Sequence, residues 1–177
     1  MINFVSKFDL KSKHIGFFVS DKLELKKSSG LDASQFSKIT SFLKKVPNSQ
    51  SQKILSFDLS ENQKCFFIVT KPKLDTYEIN NLGANLKSII NSDKNIKEIN
   101  IFCDLPFEKD KKAINFINEF VYGYELKSYS FEKYKSNKKV NIQKLELSVD
   151  KPKSYQSSYE YLSAIKEGIF LTRDLVS

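Results

Sequence analysis

Apolar positions along this chain change period repeatedly, and each change marks a new element. Residues 2–8 and 14–20 carry strand-like runs, the second built on the stretch Ile15-Gly16-Phe17-Phe18-Val19. Helical spacing follows. Phe36, Ile39, Leu43 and Val46 form one stripe, and Asp32 with Gln35 three residues on supplies a capping box at its start. Residues 53–60 alternate, Ile54, Ser56 and Asp58 against Leu55, Phe57 and Leu59, the period-two pattern of a half-buried strand. Residues 64–70 are apolar almost throughout and predict a central strand covered on both faces. Asp75 and Glu78 form a second capping box, ahead of a helix whose stripe is Ile79, Leu82, Leu86, Ile89 and Ile90. Gly83 costs that helix about 1 kcal/mol relative to Ala, which predicts that it is there for close packing of the helix against the sheet.

Residues 96–103 predict a third buried strand. The next helix starts at about Glu108, with Ala113, Ile114, Ile117, Phe120 and Val121 on one face and Glu108 and Asp110 at the positive end of its dipole. A short strand over 129–134, a polar turn over 135–139 and a strand over 140–149, in which Ile142, Leu145, Leu147 and Val149 alternate imperfectly, complete the alternating part. Ser157 with Glu160 predicts a third capping box before a terminal helix. In that helix Leu162, Ile165, Ile169, Thr172 and Val176 recur at helical spacing, and no Gly, Asn or Pro stop follows them. Pro47, Pro72, Pro106 and Pro152 fall between the runs, where they punctuate without breaking a helix. Strands alternating with helices predict an α/β fold: a mixed, largely parallel sheet with helices on both faces. Residues 1–152 form the α/β domain on this reading, and 153–177 the terminal helix.

Composition narrows the function classes. A chain of 177 residues, 40% hydrophobic and 13% aromatic, suits one domain with a packed core. No run approaches the roughly 18 apolar residues of a membrane span. The start lacks a signal-peptide h-region, so the expected location is cytoplasmic, with no membrane partner. Cys65 and Cys103 lie inside apolar runs and are expected as buried, reduced thiols. A net charge of +8 invites a polyanion. Yet every basic residue except Arg173 is Lys, and the lysines are scattered in short pairs such as Lys26-Lys27, Lys44-Lys45, Lys111-Lys112 and Lys138-Lys139. That predicts weak, nonspecific DNA attraction at most, because guanine and phosphate readout favours Arg. A codon bias toward Lys, Asn, Ile, Phe and Tyr accounts for the same composition.

Candidate chemistry is sparse. His14 is the only histidine; with no Cys or His at ligand spacing it argues against zinc and is expected as a partly exposed strand-edge residue. Asp104 with Glu108, and Asp58 with Glu61, bracket loops and are expected as solvated charges. No G-x-S-x-G elbow is present. Gly16, Gly30, Gly83, Gly123 and Gly168 are isolated, whereas a pyrophosphate cradle uses clustered glycines. The aromatic residues from Phe116 to Tyr134 are expected as core with one polar edge rather than as a stacking platform for single strands. No residue receives a catalytic, metal-binding or cofactor-binding role.

Three segments nevertheless carry a resemblance. The end of the chain, Gly168-Ile169-Phe170-Leu171-Thr172-Arg173-Asp174-Leu175-Val176, resembles the G-x-x-x-x-R-D-L-V-N helix of the leucyl aminopeptidase family. The segment from Gly123 to Lys135 is similar to that family's E-G-x-x-L-x-x-Y-x-F-x-x-Y-K through Gly123, Leu126, Tyr129, Phe131, Tyr134 and Lys135, with Tyr122 departing from it. Leu82-Gly83-Ala84 is similar to its R-x-L-G-A helix, with Asn80 and Asn81 in place of the basic residue. The resemblance implies the N-terminal, macro-domain-like domain of a cytosolic exopeptidase that uses two divalent metals, Mn or Zn. Its catalytic domain would lie beyond Ser177. The domain alone would be inactive, would help assemble a homo-hexamer and would shape access to the active-site cavity. Gly83, Gly123, Tyr129, Phe131, Tyr134, Lys135, Arg173 and Asp174 would then be structural motif positions. Two other readings stay open: a basic nucleic-acid-binding module, as some bacterial members of that family are through their hexamer, and a macro-like ADP-ribose binder.

Overall fold

The order of the strands decides what the helices can cover. The computed structural model describes residues 1–7, 14–26, 31–47, 53–129 and 143–176. Six strands, β1 (Ile2–Val5), β2 (His14–Ser20), β3 (Ile54–Ser60), β4 (Gln63–Thr70), β5 (Glu98–Phe102) and β6 (Lys144–Ser148), form one sheet in the order β1-β6-β5-β2-β4-β3. All neighbouring pairs are parallel except β3 with β4. Only two residues separate β3 from β4, too few for the crossover a parallel pair needs, so β3 returns antiparallel as an edge. Its outer half alternates between exposed and half-buried, as an edge strand should.

Four helices, α1 (Ala33–Lys45), α2 (Thr76–Ser92), α3 (Asp110–Leu126) and α4 (Pro152–Val176), lie on the two faces. Against α1, through Ile39 and Leu43, pack Ile15, Phe17, Val19, Leu55, Cys65 and Phe67. The opposite face carries Phe18, Phe66, Ile68, Ile99, Ile101, Leu145 and Leu147 under α2, α3 and the first half of α4. Every residue of β2 is buried, the consequence of a strand covered on both sides. Both predicted capping boxes are formed: Asp32 accepts from Gln35 N at 2.7 Å and Asp75 from Glu78 N at 2.7 Å, with each N3 side chain bonding back to the cap N–H.

Several sequence expectations need correction. The first strand stops at Val5, and residue 8 lies outside the described residues. α3 begins at Asp110, and Asp110 is its one first-turn acid, since Lys109 takes the N-cap position. The last strand is Lys144–Ser148, while 130–142 lie outside the described residues, as do the turn at 135–139 and the strand proposed over 129–134 apart from Tyr129. Ser157 and Glu160 are not a capping box: α4 has already started at Pro152, which suits a first helical position because it has no N–H to satisfy. His14 is buried, not half-exposed, and its Nδ1 accepts the Lys64 N–H at 3.3 Å. Cys65 and Cys103 are free, buried thiols. Burial pushes the Cys65 thiol up to about 12, and Cys103 upward as well.

α4 also faces differently from its expected stripe. At about 100° per residue, its inward positions, Tyr155, Tyr159, Leu162, Lys166 and Phe170, centre opposite Tyr161, Leu171 and Leu175. The expected stripe of Leu162, Ile165, Ile169, Thr172 and Val176 straddles the boundary between the two. Tyr155 and Tyr159 are buried, whereas Val176 is 81% exposed. Apolar residues occur on both sides of this helix, and spacing alone could not tell which side meets the sheet. Among the described residues, no helix is long and apolar enough to cross a membrane.

Candidate functional site in the helical layer

Helices α2 and α3 meet at two glycines. A Cβ on Gly83 would stand 1.9 Å from Phe120 O and 2.7 Å from Tyr124 N; one on Gly123 would stand 2.0 Å from Asn80 O. Backbone therefore touches backbone at this crossing. Gly83 serves close packing, as its cost to the helix implied, but against α3 rather than the sheet. Gly123 is its counterpart on the facing helix.

Beyond the crossing, the chain leaving α3 clasps the far end of α4. The Tyr129 hydroxyl donates to Asp174 Oδ1 at 2.9 Å, the Arg173 guanidinium lies 5.2 Å from the Tyr129 ring centre, and Phe170 tilts against the same ring at 5.1 Å. Tyr129, Arg173 and Asp174 are thus brought together from segments 44 residues and more apart in sequence. Phe131, Tyr134 and Lys135 lie outside the described residues.

Between crossing and clasp runs a polar network that the sequence pattern did not announce. Glu125 accepts from the Tyr159 hydroxyl and, at 3.0 Å, from Lys166. Lys166 and Glu125 are only 14% and 19% exposed, so this pair is screened less than a surface bridge. One turn away, buried Lys87 donates to Gln143 Oε1 at 2.5 Å and sits 4.9 Å from the Tyr124 ring centre. Gln143 is the hub: its side-chain amide donates to Ile90 O and Ile96 O, and its backbone carbonyl accepts from the Met1 amino group at 2.9 Å. Burial lowers the Lys87 pKa, with Glu125 opposing. It also lowers that of the Met1 amino group, again against Glu125. Tyr159 is held well above the ordinary phenol value, by burial first and by its bond to Glu125 second. A faint signal existed: Lys87 follows Gly83 by four residues, and Lys166 follows Tyr159 by seven, spacings that repeat one helix face.

Among the described residues, no group of three or more His, Cys, Asp or Glu could hold a metal ion. Asp58 and Glu61 are exposed, and Asp104 is exposed and paired with Lys26 at 3.1 Å. The arrangement holds helices together at close range, with charged groups satisfied inside.

No protein-family model matches the sequence. No curated protein matches it either. Structures do. A tomato leucine aminopeptidase mutant superposes with a TM-score of 0.71 at 12% identity, over 99% of this chain and 38% of that one. The fold is aminopeptidase-like. The bottromycin maturation enzyme BotP, solved in complex with Mn, matches at a TM-score of 0.56 and 13% identity, over 93% of this chain and 32% of its own. This chain therefore spans 38% of the one and 32% of the other.

The clasp has a measurable consequence. Tyr129→Phe removes the bond to Asp174 while keeping the ring under Arg173, and should cost about 0.5–1.5 kcal/mol of local stability. Amide exchange in the last two turns of α4 should quicken by up to about tenfold, with the β2 and β4 amides unchanged. Equal exchange in variant and parent would show that the clasp does not hold the helix end.

Proposed function

We propose that this chain is the non-catalytic N-terminal domain of a leucyl-type metallo-aminopeptidase. The whole protein would release N-terminal residues from peptides using two divalent metals, Mn or Zn, held in a separate domain. The observation that carries this reading is the whole-chain fold likeness to a leucine aminopeptidase more than twice as long. The outer side of α4 supports it: Tyr161, Leu171, Leu175 and Val176 are 61–81% exposed and offer an apolar surface to a further domain or subunit. On this reading the domain contributes to hexamer assembly and to shaping access to the active site.

The rival reading, a basic nucleic-acid module, draws less support. Lysines from the β2 loop, β4, β6 and α4 are neutralised by carboxylates beside them, which leaves fewer to release counterions from a phosphate backbone. The test is an assay of residues 1–177 on leucine p-nitroanilide with Mn²⁺ or Zn²⁺. Hydrolysis at the buffer rate is expected, with chelator-sensitive hydrolysis by a longer polypeptide from the same gene. Chelator-sensitive turnover by residues 1–177 alone would place the chemistry here and overturn the proposal.

A further inference from the structure

Where α2, α3 and α4 come together, a cavity of about 610 Å³ opens to solvent. Its lining comes from the start of α2, the middle of α3 and the first half of α4. Asn118, on α3, lines it and is only 1% exposed. The Asn118 amide Nδ2 donates to Tyr155 O at 3.3 Å. That bond fixes the side chain, because the flipped amide would set oxygen against oxygen. Its Oδ1 is left buried and accepts no hydrogen bond. A buried acceptor left unmet calls for an explanation, and a bound donor is one.

Glu119, the next residue, lines the same cavity and is half-buried. It makes no salt bridge among the described residues. Burial raises its carboxyl above the ordinary value, against a bond from the Asn80 side chain. Two acceptors, one of them a carboxylate without a counter-ion, thus line one cavity. Around them Leu74, Ile79, Phe116 and Leu162 supply an apolar surface, with the exposed ring of Tyr161 beside them.

We propose that this cavity binds a small primary alkylammonium, its N–H groups donating to Asn118 Oδ1 and the Glu119 carboxylate and its chain lying on Leu74, Ile79 and Leu162. An ammonium carries three donors and no acceptor, so it can meet both oxygens at once. A neutral donor such as an alcohol would satisfy Asn118 and leave Glu119 without a counter-ion. An anion could reach Lys73 and Lys112, both exposed, yet it would bring lone pairs to Asn118 and like charge to Glu119. This site is independent of the function proposed above, since no metal and no second domain take part in it.

Amide and side-chain NMR shifts of the full 177-residue chain, titrated with n-butylammonium chloride, test it. Saturable shifts are expected at the Asn118 side-chain amide, the Glu119 carboxyl carbon and the Leu162 methyls. Ammonium chloride, n-butanol and sodium butyrate at matched concentration should produce none that saturate there. Glu119→Gln keeps an acceptor and removes the charge, and should weaken binding about tenfold. Asn118→Leu removes the buried acceptor and should weaken it by a similar factor; if that variant fails to fold, Glu119→Gln still decides. Shifts linear in butylammonium, saturation by any of the three controls, or undiminished binding by Glu119→Gln would each overturn it.

Discussion

Gly123→Ala should destabilise the protein by about 3 kcal/mol or more, and Gly83→Ala by a similar amount, although alanine is the better helix former by about 1 kcal/mol. The added methyl would lie about 2 Å from a carbonyl oxygen on the facing helix in each case. Backbone cannot rotate aside as a side chain can, so the two helices must separate. Separation withdraws Leu82, Leu86, Ile117, Phe120 and Tyr124 from one another, all of them in the same core cluster. Gly168 is the internal control. A Cβ there meets nothing within 4 Å, so Gly168→Ala should stabilise by up to about 1 kcal/mol, the propensity gain alone. Urea unfolding of the three variants decides the matter. Equal behaviour at all three positions would mean that the α2–α3 crossing is not held at backbone contact.

Raising the pH should unfold the protein steeply between about pH 9 and pH 12. The groups responsible are Cys65, Cys103, Tyr124, Tyr155 and Tyr159, all buried and all raised above their ordinary values chiefly by burial. The sign follows from proton counting. Over the interval between a raised folded pKa and the ordinary one, the folded chain holds a proton that the unfolded chain has released. The stabilisation is whole below the unfolded pKa and is lost as pH climbs through the folded value. Tyr155, raised from 10 to about 12, alone accounts for roughly 2–3 kcal/mol. Lys87 works in the opposite direction, since its pKa is lowered and its burial penalty is relieved as pH rises. The Met1 amino group, also lowered by burial, acts in the same sense as Lys87, and five groups against two leaves a net loss. Urea midpoints measured from pH 7 to 11.5 should fall, and the Tyr155→Phe curve should be flatter. A flat parent curve would show that these groups titrate as if exposed.

Much of this architecture can be read from local chemistry. The capping boxes at Asp32 and Asp75 form because an acid and an N3 acceptor three positions along the chain satisfy the first helical N–H groups wherever the helix ends up. The runs in β2 and β4 predicted burial on both faces for the same reason: no alternation means no solvent side. The terminal motif also pointed toward an aminopeptidase-like fold, which the structural neighbours share.

Other decisions belong to the tertiary structure. Residue spacing announced that Gly83 needed a close neighbour but not which one, because glycine at a contact is silent about its partner; Gly123, 40 residues away, supplies it. Periodicity along α4 offered apolar residues on opposite sides, and only packing on α3 and β1, through Tyr155 and Tyr159, selected the inner one. Lys87, Glu125, Gln143 and Lys166 read as ordinary polar residues until the fold buries them together, since a charge is tolerated inside only when distant segments bring its partners. The cavity between α2, α3 and α4 is of the same kind: its walls are far apart in sequence, and the packing of the helices alone makes them neighbours there. Sequence settles what each segment can satisfy by itself, and the fold settles every need that has to be met from elsewhere in the chain.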